Sequence, residues 1–121
     1  MQIITRCIKD ATATTTSLAQ NIEGAKKVTF IFKRSDHSAG KTVFTVTVSA
    51  DDSNYITYNK LIDNVTNTNS QNLTRVGSYD TGAANATKFY TMSPEDCFKY
   101  CKVTATETTD GTHNAWIIIE K

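Results

Sequence analysis

Apolar and polar side chains alternate with a period of two through most of this chain. Phe44, Val46 and Val48 interleave with Thr45, Thr47 and Ser49, so one row faces inward and the other outward, as in a half-buried β-strand. The segment ADDSN (50–54) supplies turn residues, and Tyr55-Ile56-Thr57-Tyr58 restarts an aromatic and β-branched run. The stretch 41–62 therefore reads as a central β-hairpin. The same alternation marks KKVTFIFK (26–33), with Val28, Phe30 and Phe32 inward and Ile31 the one apolar residue on the outer row. It recurs in 98–106, where Cys101, Val103 and Ala105 face in and Tyr100, Lys102, Thr104 and Thr106 face out. Residues 1–9 read as a first, edge strand and 88–92 as a short one. AWIIIE (115–120) is apolar without interruption, the habit of a central strand covered on both faces.

Between these runs lie the connectors. Residues 10–20 are Thr/Ala-rich and read as a linker or loosely paired strand, with Leu18 and Ile22 pinning it to the core. RSDHSAG (34–40) reads as a polar loop, and Asp110-Gly111 carries the signal of a tight hairpin between the last two strands. Ser93-Pro94-Glu95-Asp96 has the order of a helix start, which predicts one short helical turn near 93–97. Residues 63–88 form an Asn/Thr-rich excursion in which Leu73, Val76 and Tyr79 are the sizeable apolar anchors. Seven to nine short strands separated by turns predict one all-β domain over 1–121. The expected form is a two-sheet antiparallel β-sandwich, jelly-roll or Ig-like, with strand order left open.

Composition supports this class. Twenty-one threonines, five Tyr and five Phe stand against a single Pro among 121 residues, a set that suits pleated, half-buried surfaces. The formal charge is +1, too small to draw the chain to nucleic acid or an anionic membrane through a global field. No apolar run reaches the length of a membrane span, and the first residues lack a signal-peptide pattern. Three cysteines, Cys7, Cys97 and Cys101, are an odd count that reads as reduced thiols. On one extended strand Cys97 and Cys101 would lie ~13 Å apart, beyond a disulfide.

Candidate chemistry is sparse. His37 and His113 read as solvated loop histidines without zinc-ligand spacing to any cysteine. Asp51, Asp52 and Asn54 offer oxygens to calcium, yet the twelve-residue ligand loop is missing, and a hydrogen-bonded turn is the simpler reading. No nucleophile elbow or phosphate loop occurs. Lys26, Lys27, Lys33 and Arg34 flank Phe30 and Phe32, but the phenylalanines alternate like core residues. Sequons at Asn64, Asn72 and Asn85 sit in the Asn/Thr-rich region and read as chance. Neither a catalytic residue, a metal ligand nor a cofactor is assigned. The outward Ile31 and the tyrosines Tyr55, Tyr58, Tyr79, Tyr90 and Tyr100 remain as candidate interface residues.

Three segments together, GAKKVTFIFK, FTVTVSADDSNYITY and YCKVTATETTDGTHNAWIIIE, resemble the small β-sandwich decoration, or cementing, proteins of bacteriophage heads. The resemblance spans roughly half of the chain and carries no catalytic motif. It implies a non-enzymatic virion protein, made in the bacterial host cytoplasm, that binds the major capsid protein on the capsid exterior. It also implies a homo-oligomer, a trimer by preference, with no nucleic-acid or membrane partner. The alternative expectation is a carbohydrate-binding sandwich, an adhesin or head-fibre tip, using the 63–88 loops and Tyr79.

Overall fold

A computed structural model of the chain describes residues 1–63, 75–93, 96 and 98–121. Among the described residues twelve strands form two antiparallel sheets packed as a sandwich, and no helix occurs. One sheet, A, has the order β1 (Gln2–Ala11), β12 (Thr112–Glu120), β4 (Lys27–Ser35), β10 (Ala86–Thr91), β7 (Leu61–Asp63), β8 (Arg75–Val76). The other, B, has the order β2 (Thr15–Thr16), β11 (Tyr100–Glu107), β5 (Thr42–Ser49), β6 (Ile56–Thr57). Two further strands join it, β3 (Gln20–Asn21) on β11 and β9 (Tyr79–Asp80) on β5.

The core is the meeting of the alternating rows. Val28, Phe30 and Phe32 from β4 and Ala115, Ile117 and Ile119 from β12 face Phe44, Val46 and Val48 from β5 and Cys101, Val103 and Ala105 from β11, all buried. Phe32 and Phe44 stack across the two layers, ring centroids 4.8 Å apart and 9° from parallel. Offset stacking adds to area burial here, so each aromatic of the alternation contributes twice.

The chain changes sheet at most connections, and this revises three expectations. The expected hairpin around 41–62 pairs only Thr47 with Thr57 and Val48 with Ile56; the chain then leaves for sheet A at β7. Asp110-Gly111 does not close a hairpin, because β11 and β12 belong to opposite sheets and pair with β5 and β4. The 34–40 segment is not wholly a loop: β4 runs on through Ser35, and Arg34 is buried. Among the described residues of 63–88, Arg75–Val76, Tyr79–Asp80 and Ala86 onward are strand rather than excursion; Leu73 lies outside the described residues. Ile22 is buried, but Leu18 is 84% exposed and pins nothing. The helical turn expected near 93–97 lies outside the described residues except at Ser93 and Asp96, where the Asp96 N–H donates to the Ser93 carbonyl at 3.1 Å.

Arg34 explains the crossovers. Its Nη1 donates to the carbonyls of Gly40 (2.9 Å) and Gly82 (3.2 Å), and its Nη2 to Ala39 (2.9 Å) and Asp110. The same Nη2 meets Glu107 Oε1 at 3.1 Å, both side chains almost fully buried. One guanidinium thus ties together the β4–β5, β9–β10 and β11–β12 connections by charge-assisted hydrogen bonds to their carbonyls. Glu107 also accepts from Thr42 Oγ1 (2.6 Å) and the Thr109 N–H (3.2 Å). Gly111, at φ +145°, leaves room for this head: a Cβ there would come within 2.7 Å of Arg34 Nε.

Burial alone would raise the Glu107 pKa, but the Thr42 and Thr109 hydrogen bonds and the charge of Arg34 outweigh it and hold the carboxyl below its ordinary value. A depressed folded-state pKa gives stability that is complete above the unfolded carboxyl value, about 4.3. That contribution is lost as pH falls through the lower folded value. Urea unfolding should therefore show a lower midpoint for Glu107→Gln at neutral pH, with less further loss on acidification than the native chain suffers. Arg34→Met, which strands Glu107 without its partner, should cost roughly 3–5 kcal/mol; an unchanged midpoint would show that the staple carries no stability.

Candidate interaction face

The inward rows dictate what the outer face of sheet A must carry. With Ala115, Ile117 and Ile119 inside, Trp116 and Ile118 point away from the core. Register then lines up Arg6, Trp116, Ile31 and Phe89 across β1, β12, β4 and β10 in a single cross-strand row. The adjoining row brings Ile4 opposite Ile118 and Ile118 opposite Thr29. Five apolar side chains, Ile4, Ile118, Trp116, Ile31 and Phe89, thereby form one patch bordered by Lys33 and Thr87. Ile4 is 62% and Phe89 44% exposed. Scattered apolar surface residues are ordinary, whereas a contiguous patch marks a contact site.

The polar border is ordered. Asn114 Oδ1 accepts from Arg6 Nε (3.1 Å) and Nη2, and from the Asp10 N–H (2.7 Å). Asp10 also pairs with Arg6 at 3.1 Å. So held, the guanidinium lies 5.3 Å from the Trp116 ring centre, a cation–π arrangement. Trp116 and Arg6 are residue types that anchor protein interfaces.

The structure separates the six candidate interface residues. Ile31 lies at the centre of the patch. Tyr100 opens β11 of the other sheet and Tyr55 directly precedes β6; Tyr55 lies under Lys102 Nζ at 4.2 Å and bonds Asp52 through its hydroxyl. Tyr79 is half-buried, its ring against Phe44 (6.3 Å) and Tyr90 (5.8 Å). Tyr58, just after β6, and Tyr90, on the inner row of β10, are core residues at 4% exposure each. The Tyr58 hydroxyl accepts the Ser93 N–H (2.8 Å) and donates to Asp96 Oδ2 (2.6 Å), fastening the end of the sandwich opposite Arg34. Burial, then the bond to Asp96, pushes this phenol up to about 12.

The other candidate chemistry is accounted for by packing. His113 is not a loop histidine: it is fully buried on β12, Nδ1 3.5 Å from Glu107 Oε2 and its ring edge-on to Phe44. Asp51 accepts from the Ser53 and Asn54 N–H groups (2.9 and 2.8 Å), from Asn54 Nδ2 and from Ser49 Oγ. Its own turn thus occupies the carboxylate that was a calcium candidate, and those bonds hold its pKa well below the usual range. Burial raises the Cys7 and Cys101 thiols to about 11 and about 12, keeping them protonated and unreactive; Cys97 lies outside the described residues, as do Asn64 and Asn72. Phe30 and Phe32 are interior, and Arg34 with them.

Trp116, Ile118, Phe89 and Ile4 were not singled out from the sequence. The run AWIIIE reads as covered on both sides, and only the strand order shows that one side belongs to the surface.

No family model and no curated protein matches the sequence. The fold is similar to the crystal structure of the SPBc2 prophage-derived protein YomS, at TM-score 0.64 and 9% identity, covering 99% of this chain and 94% of that one. A structure of infectious bursal disease virus, Gx strain, matches at TM-score 0.42 and 9% identity, over 98% of this chain and 30% of that one, too low to carry an argument. The two-layer fold is thus one that a prophage-derived protein also adopts.

The contrast between two candidate tyrosines is measurable. Tyr58→Phe should cost roughly 1–3 kcal/mol in urea unfolding, since it leaves a buried N–H and a carboxylate without their partner. Tyr55→Phe should stay within about 0.5 kcal/mol. Equal losses would contradict the assignment of Tyr58 to the core.

Proposed function

We propose that this chain is a non-enzymatic structural protein of a phage particle, which binds the outside of the assembled capsid and stabilises it. The observation that carries the reading is the outer face of sheet A, with its five contiguous apolar side chains and ordered Arg6. Such a surface, broad and built on rigid strands, fits another protein surface better than a small ligand, which is usually held in a concavity. The prophage origin of the YomS structure accords with the reading, as does the resemblance to capsid-cementing proteins. The partner is the major capsid protein, and repetition of its surface over a shell turns one modest contact into firm attachment through multivalency.

Shells assembled from the cognate major capsid protein provide the test. The chain should co-sediment with them and raise the temperature at which they rupture. Phe89→Lys combined with Ile31→Lys places two charges in the patch and should weaken binding at least ~10-fold, about 1.4 kcal/mol or more. Absence of co-sedimentation by the native chain, or equal binding by the double variant, would overturn the proposal.

A further inference from the structure

The open edge of sheet A is unlike the other sheet edges. Among the described residues β2 and β6, at the edges of sheet B, are two-residue strands, the short form that protects an edge from pairing. β1 runs for ten residues with β12 as its ladder partner. Register shifts between Arg6 and Ile8 and between Ile8 and Ala11 bend its second half, leaving Gln2–Arg6 as a regular stretch with neither Lys nor Pro.

The hydrogen-bond alternation says which groups face outward. The Met1 nitrogen donates to the Lys121 carbonyl (3.0 Å), and the Lys121 N–H to the Met1 carbonyl (2.9 Å). That pair is therefore a hydrogen-bonded one, and antiparallel pairs alternate. Ile3 and Thr5 in turn direct their N–H and C=O groups to β12, while Gln2, Ile4 and Arg6 direct theirs to the open edge.

We infer that this edge pairs antiparallel with β1 of a second copy, about a two-fold axis through Ile4. In that register Ile4 faces Ile4 of the second copy and Gln2 faces the second copy's Arg6, so every outward N–H and C=O of the three residues finds a partner. Centring the axis on Ile3 or Thr5 pairs fewer of them, because the ladder then runs off the chain or into the bulge. The Ile4 register sets the apolar side chains against each other and no cation against a cation. The axis stands normal to the sheet, so the two apolar faces merge into one band on the same side. Antiparallel self-pairing of this kind is isologous and closes at two, in place of the three-fold grouping that the resemblance implies.

Light scattering and hydrogen exchange test this directly. The native chain should show twice the 13.3 kDa of one copy, and the Ile4 and Arg6 amides should exchange slowly in that species. Ile4→Pro removes a donor that β12 does not use, and Ile4→Lys sets like charges across the axis; each should return the mass to that of one copy, with thermal melts confirming that the variants fold. Phe89→Lys, away from the edge, should keep the doubled mass, so loss of shell binding and loss of pairing are read separately. A native chain of one or three copies would overturn the inference. So would a doubled mass that survives both Ile4 variants, or one whose Ile4 and Arg6 amides exchange as freely as an open edge.

Discussion

The buried contact between Arg34 and Glu107 is the constraint on which the architecture rests. A sandwich whose strands keep changing sheet must bend its backbone over the end of the core, and each bend exposes carbonyls that no ladder satisfies. Here one guanidinium gathers those of Ala39, Gly40, Gly82 and Asp110, and one carboxylate neutralises it. Desolvating two charges is expensive, and the pair is tolerated because the remaining donors and acceptors are nearly all used. Among the described residues, the buried exceptions are Arg34 Nε, the His113 ring nitrogens and His37 Nε2. Such a cluster specifies which loops meet, a task apolar packing performs poorly because it lacks direction.

The apolar outer face of sheet A follows from that end. With β4 and β5 joined there, and β12 and β11 likewise, the pairs β4–β12 and β5–β11 lie back to back in full register over eight or nine residues. Their inner rows fill the core, leaving the outer rows to be set by the surroundings. Sheet B spends its outer row on Thr45, Thr47, Lys102 and Thr104, whereas sheet A spends its own on Trp116, Ile118 and Ile31. Two sheets of the same construction thus present different outer rows, one rich in Thr and Lys and one with contiguous apolar side chains, and the proposed contact lies on the second.

Much of this was legible in the sequence, and what escaped did so for definable reasons. The rows Phe44/Val46/Val48, Val28/Phe30/Phe32 and Cys101/Val103/Ala105 were plain because period-two alternation is a local property. Arg34 looks like loop in the sequence because a charged residue beside Ser, Asp and His resembles surface; its burial depends on carbonyls 5 to 76 residues distant. Asp110-Gly111 gave a sound turn signal but no information on whether its flanking strands pair. His113 and Tyr58 escape in the same way, since their partners (Glu107 and Phe44; Ser93 and Asp96) come from distant parts of the chain. The site was legible only at Ile31, because the rest of the patch is assembled by strand order, which alternation does not encode.

Ile31 shows what a single local exception is worth. An apolar residue on an otherwise polar outer row is unremarkable alone, and its meaning arises from its neighbours: Trp116 on one side and Phe89 on the other. Cross-strand neighbours on one face interact directly, so these side chains pack laterally and shelter part of one another from water even without a partner. That lateral packing lets the chain carry the patch while remaining folded, and it makes the face rigid before contact. A preformed face loses little further conformational freedom on docking. The same lateral register that makes the patch rigid ends at Ile4, on the strand whose backbone is still open, and so the face and the edge are two consequences of one placement of β1 beside β12.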